Sequence, residues 1–240
     1  GICLLAVSGA GQATVISGSS SSYVVSVDVS ANVLGLINLN LGVSPTPVSS
    51  GTAPDPYVFS NSTVSLNEGL NLLGINLLGV SAGILNADAS SDADGSDGAK
   101  FASASASIVD LGVGALGLIG LNVEAVKSTA SVYGDFGALV AAGETILAGA
   151  ELSILGVPIA LIDIPAPNTV VDLSLAGLVG VSLILNEQIF TGNGIDSIGL
   201  VVNAIHLSFN AFVSGAASLT GDIIISHAQA QISTMPGEVA

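Results

Sequence analysis

Arginine and tryptophan are missing from this chain, and lysine occurs only as Lys100 and Lys127. Against 18 acidic residues this leaves a net charge of −16. Such a balance argues against DNA, RNA or an anionic membrane as partner, because phosphate recognition rests on clustered Lys and Arg. Cysteine occurs once, as Cys3. No intrachain disulfide can form, and a zinc or iron–sulfur site needing several thiolates cannot be built. No apolar run reaches the roughly 20 residues of a helical membrane span; the longest are broken by Asp110, by Glu144 and Glu151, or by Pro45 and Pro47. Aromatic residues make up only 4 % although half the chain is apolar, so its core has to be assembled from small aliphatic side chains. Only 8 % of residues are charged, which leaves Ser, Thr, Asn and Gly to cover the surface. That composition suits an extracellular or cell-surface setting.

What is present is a succession of short β-prone runs bounded by Gly, Asn, Pro and Ser. In "SSYVVSVDVSANV" (21–33), Tyr23, Val25, Val27 and Val29 alternate with Ser22, Ser26, Asp28 and Ser30, the period of a half-buried strand. "FASASASIVDL" (101–111) and "DIIISHAQAQIS" (222–233) alternate in the same way, the latter placing Ile223, Ile225, His227 and Gln229 on one face. A loose echo recurs in "NVLGLINLNLGV", "NLLGINLLGV", "GALGLIGLNV" and "SILGVPIALI", each punctuated by Leu-Gly. These read as core strands with a Gly bulge or bend. The Pro-rich stretch 42–57, the acidic stretch 86–100 and the segment 164–170 read as linkers, and 191–197 as a tight turn. The expected fold is all-β, an antiparallel β-sandwich or β-barrel-like domain over 15–235, with room for one or two short helices around 66–85 or 136–156. Residues 1–14 form an apolar N-terminal segment and 236–240 a C-terminal tail.

The N-terminal "GICLLAVSGAGQAT" admits two readings. It is similar to the end of a secretory signal, with Ala10-Gly11-Gln12-Ala13 as the small-residue cleavage region. Alternatively Ile2, Cys3, Leu4, Leu5, Ala6 and Val7 are an apolar strand that has to be buried somewhere, for instance against a neighbouring copy. Both imply export.

Residues able to carry chemistry are few. Asp88, Asp92, Asp94 and Asp97, with Gly95 between them, are the candidate calcium ligands, because calcium prefers hard oxygens. Their order departs from an EF-hand, and a solvated acidic loop is the competing reading. No other cofactor is implied. His206 and His227 lie in β-like stretches without a catalytic motif around them. Glu187, inside "LILNEQIF", could serve a glycoside hydrolase only with a second carboxylate; otherwise Asn186, Glu187 and Gln188 belong to a bend, where Asn and Gln side chains satisfy backbone groups. Asn61-Ser62-Thr63 is the one N-glycosylation sequon.

In chain order, "VVSVDVSANVLGLINLNLGVSPTPVSSG", "FASASASIVDL", "LILNEQI", "VVNAIHLSF" and "GDIIISHAQAQI" together resemble the choice-of-anchor P family of exported bacterial proteins. The resemblance covers roughly residues 22–232 and implies surface location without implying a reaction. The expectation is a non-enzymatic extracellular structural protein, a filament or surface-layer subunit whose copies join head to tail when residues 2–7 add as a strand to a neighbour. A monomeric adhesin or surface-binding module, calcium-stabilised through the acidic stretch, is the alternative.

Overall fold

A computed structural model describes residues 14–72, 75–173, 178–215 and 217–236. They are all-β and antiparallel, as the sequence predicts, with no helix among them. Two sheets pack face to face. The first runs β12 (Thr169–Val171), β13 (Val181–Gly192), β14 (Ser197–Ser214), β15 (Ala217–Met235), β1 (Thr14–Val33), β2 (Ile37–Thr52). The second is centred on β7 (Lys100–Ala115) and β8 (Ile119–Gly134). On the β7 side stand β3 (Tyr57–Thr63), β4 (Leu66–Leu72), β5 (Ile75–Ala82) and β6 (Leu85–Ser91). On the β8 side stand β9 (Val140–Ala148), β10 (Glu151–Ile154) and β11 (Val157–Ala160). The stretches 66–85 and 136–156, open to a helical reading, form strands β4, β5, β9 and β10. The Pro-rich stretch is no linker over most of its length: β2 runs through Pro45 and Pro47. It can do so because β2 is an edge strand and its prolines sit beside the Val25/Val27 irregularity, where ladder donors are not needed.

The simple period-two reading fails at one level of the first sheet, and all four central strands fail together. In β1 the buried residues are Ser20, Ser22 and Val24, then Val25, Val27 and Val29. In β15 they are Ile223 and Ile225, then Ser226, Ala228 and Ala230. β13 switches between Leu185 and Asn186, and β14 around Asn203, Ala204 and Ile205. Asn186 and Ser226 take positive φ, 52° and 56°. Because neighbouring strands switch side at the same height, pairing resumes in register: Leu185 with Ile205 and Ile225, Glu187 with Asn203 and His227. Tyr23 and His227 therefore point outward, away from the Val and Ile residues with which strict alternation would group them. The second sheet switches at Asp110, whose φ is 56°.

This waist divides the core into two clusters, one around Leu78, Leu121, Leu183 and Leu219, the other around Ala104, Ala130, Val202 and Ala230. Buried hydroxyls join the sheets close to it. Ser226 Oγ donates to the Ala106 carbonyl at 2.8 Å and accepts from Ser128 Oγ at 3.0 Å. Ser22 Oγ and Ser49 Oγ donate to the carbonyls of Asp88 and Ala87, each at 2.8 Å. Side chains this small let the sheets approach closely. A Cβ at Gly143 would lie 2.6 Å from Val202 Cγ2, so only glycine fits there.

The two ends of the sandwich differ. One carries the hairpin tips Leu34-Gly35, Leu116-Gly117 and Leu155-Gly156. The Leu-Gly echo is thus a turn motif and not a bulged core strand; its remaining copy, Leu73-Gly74, lies outside the described residues. The opposite end carries the loops 53–56, 92–99, 135–139 and 193–196. β1 starts at this second end, where Thr14 pairs with Met235.

Candidate functional site

The polar side chains that could do chemistry gather on the outer face of the first sheet, just past the waist. β13, β14, β15 and β1 place Glu187, Asn203, His227 and Tyr23 directly opposite one another, as one row across four strands. The switch of side at Asn186 aims Glu187 outward while Asn186 and Gln188 turn in. Asn186 Nδ2 donates to the Pro165 carbonyl at 2.8 Å; Gln188 Nε2 donates to Asn186 Oδ1 at 3.0 Å and to the Gly143 carbonyl of the other sheet at 3.1 Å. Asn186 and Gln188 thus satisfy backbone carbonyls and one another at the bend, and Glu187 takes no part in that bonding.

Glu187 Oε2 accepts from Asn203 Nδ2 at 2.7 Å and faces His206 Nδ1 at 3.0 Å. His206 Nε2 lies 3.2 Å from Asp222 Oδ1 and 3.2 Å from Ser208 Oγ. Asn203 Oδ1 accepts from His227 Nδ1 at 2.7 Å, and the His227 ring stacks on Tyr23 with centroids 4.3 Å apart. In the sequence the two histidines read as unrelated sheet residues and Glu187 as part of a bend. The fold joins them into one chain of hydrogen bonds, because β13, β14 and β15 are neighbours and their offsets coincide at the waist. Burial disfavours the charged imidazolium of His227 and brings its pKa down to about 4, against weaker opposing effects of Gln229 and Glu187. The Tyr23 hydroxyl is shifted upward, also by burial.

Ser208, His206 and Glu187 stand in the contact order of nucleophile, base and orienting acid. Two further features of the row stand beside this order. Nε2 is shared between Ser208 and Asp222, whose side chain is about half exposed. β14 is also paired on both sides at Ser208, with Ser182 and Asp222, so the backbone amides there belong to the ladders and form no oxyanion site. A cleft of about 450 Å³ lies elsewhere, on the outer face of the second sheet among Asp110, Asn122, Glu124 and Glu151.

The four aspartates read as calcium ligands are spread over separate partners. Asp88 lies on β6, not in a loop, and accepts from Ser105 Oγ at 3.2 Å. Asp92 caps the Phe101 amide at 2.6 Å, and Asp97 accepts from Thr14 Oγ1 at 2.8 Å. Asp94 binds Lys100 at 2.8 Å and the Ser96 hydroxyl at 2.6 Å, and these donors hold its carboxyl well below the usual range. Among the described residues no three His, Cys, Asp or Glu side chains gather as a metal site requires. Ile2, Cys3, Leu4, Leu5, Ala6 and Val7, the expected polymer interface, lie outside the described residues. No helix among the described residues is long and apolar enough to cross a membrane. No family model matches this chain, and no curated protein or solved structure matches it either.

Proposed function

We propose that this protein is an extracellular structural subunit whose copies join head to tail through the apolar segment 2–7. The observation that carries this reading is the start of β1. Thr14 is paired with Met235 at the last rung of the first sheet. The 13 residues before it in the sequence, GICLLAVSGAGQA, bear no charged side chain. Strand β1 itself is flanked by β15 and β2, so it is a central strand of its sheet. An apolar segment preceding such a strand in the sequence suits strand addition on another copy, and a contact of that kind between copies repeats into an open chain.

Deleting residues 1–13 tests it. The full chain should assemble in electron micrographs and sedimentation, and the truncated chain should remain a monomer with an unchanged melting temperature. Assembly that survives the deletion would end this reading. The outer-face row favours a second reading, a surface-binding module that holds a polar ligand over Tyr23, His227, Asn203 and Glu187. Under it, Glu187→Gln would lower adhesion while assembly stayed intact.

A further inference from the structure

Hairpin turns with positive φ at both central positions favour Asn-Gly or Asp-Gly, because a side chain without a local hydrogen bond is strained in the left-handed region. This chain uses leucine. Leu34 and Gly35 have φ of 57° and 67°, Leu116 and Gly117 52° and 68°, Leu155 and Gly156 52° and 80°. The turns close through Leu36 N to the Val33 carbonyl at 3.1 Å and Leu118 N to the Ala115 carbonyl at 3.0 Å. Ile154 pairs directly with Val157 across the third. An unfavourable residue is thus repeated at one end of the molecule. The core accounts for Leu116, which packs against it, but not for Leu34 and Leu155, which point into solvent.

The sheet orders arrange these tips as two facing rows. The first sheet contributes Leu34 and Leu36 at one flank, Val213 in the middle and Val179 at the other flank. The second contributes the Leu116-Gly117 turn in the middle and Leu155 with Val157 at the flank. Leu34, Leu36, Leu155, Val157, Val179 and Val213 are between 61 % and 82 % exposed. The tips 34–36, 116–118 and 155–157 contain no charged residue in a molecule of net charge −16. The opposite end is the acidic one, with Asp55, Asp92, Asp94, Asp97, Asp135 and Asp196 in its loops.

We infer that this apolar tip face is the seat for residues 2–7 of a second copy. The inference rests on the head-to-tail reading above and names its acceptor. Three arguments select this occupant. The segment and the face are both apolar and uncharged. Six extended residues span roughly 20 Å, and the five strands from β13 to β2 at about 4.8 Å spacing span the same width. The segment cannot reach the face of its own subunit: β1 is 20 residues long, about 65 Å at strand rise, whereas the 13 residues before it reach at most about 45 Å. The contact is therefore made between copies.

The test uses two variants of the full chain. Leu34→Asn with Leu155→Asn places the favoured turn residue at both flanks of the face, so the fold is retained while the apolar surface is lost. Deletion of residues 1–13 removes the segment and leaves the face. In sedimentation, each alone should associate at least tenfold more weakly than the intact chain. Mixed together, the Asn variant and the deletion variant should form a one-to-one complex that grows no further, since one carries only a segment and the other only a face. If the deletion variant is monomeric but the Asn variant assembles normally, the tip face is not the acceptor, while the head-to-tail reading survives. If the deletion variant assembles, both fail. If both variants are monomeric and the mixture gives no complex, the segment and the face do not meet. Flotation of the intact chain with phosphatidylcholine vesicles, lost in the Asn variant, alongside unaltered assembly in solution would assign the face to lipid and overturn the inference.

Discussion

The two ends of this sandwich obey local turn chemistry to different degrees. At the acidic end the turn residues Asn193 and Asp94 and three glycines do what residues of their type favour. Asn193 Oδ1 accepts from the amides of Ile195 and Asp196 at 2.8 and 3.1 Å, Asp94 Oδ1 accepts from Ser96 N at 3.0 Å, and glycine takes positive φ at Gly95, Gly137 and Gly194. At the apolar end leucine occupies left-handed positions where asparagine would be less strained. Where local preference and the global fold agree, a solvated cap is a sufficient explanation. Where they conflict repeatedly on one surface, and Leu34 and Leu155 stay exposed while only Leu116 packs against the core, the conflict points to something outside the monomer.

If stability resides between the ends and at neither of them, the largest loss should come from the waist. Ser226→Val would strain the left-handed position further with a β-branched residue and strip Ser128 and the Ala106 carbonyl of their partner. We expect a loss of about 4 kcal/mol and a fall in melting temperature of roughly 8–16 °C. A loss as large from a change at either end would break the comparison.

Next comes His227. Its folded-state pKa of about 4 lies below the ordinary 6.5 of an unfolded histidine, so the unfolded chain binds this proton first. Its contribution is intact above about pH 6.5, falls as the pH drops through the window down to 4, and is then exhausted. The full shift corresponds to about 3 kcal/mol; incomplete sealing from water lowers the expectation to about 2 kcal/mol. Denaturant unfolding of the chain and of His227→Gln at pH 7, 5.5 and 4 checks this, because the variant should lack that part of the acid sensitivity. Parallel pH curves for the two would refute it.

Smaller, and opposite in sign, is the response of the tips. Leu34→Asn should raise monomer stability by about 1 kcal/mol, by relieving a left-handed leucine. A drop in melting temperature would mean that the leucine stabilises the fold after all, and the contrast between the ends would disappear. Smallest is Lys100→Ala at the acidic end. In the Lys100–Asp94 pair Asp94 is exposed and Lys100 half-buried, so the melting temperature should fall by about 2 °C or less.

Most strands were legible because Ser, Ala and Val alternate with period two, as in Ala102, Ala104 and Ala106 of β7, all buried. The waist was not legible. Val24-Val25 and Ile225-Ser226 look like ordinary strand, and only the coincidence of four switches across strands far apart in sequence keeps the register. The Leu-Gly echo was visible as a repeat but was read as bulged strand, since leucine is a poor marker for a tight turn. Pro45 and Pro47 suggested a linker because edge position is a property of the sheet and not of the segment. The outer-face row was hidden for the same reason. Tyr23, Glu187, Asn203 and His227 come from four strands, and only the order β13-β14-β15-β1 makes them adjacent.

The head-to-tail account depends on where residues 2–7 rest, and Cys3, the chain's only cysteine, allows this to be measured. A photoreactive crosslinker attached to Cys3 in the assembled protein, followed by peptide mapping, should mark the partner copy within 33–37, 115–119 or 154–158. Crosslinks confined to the acidic end, to the edges of its own sheets, or to none of the chain would contradict it.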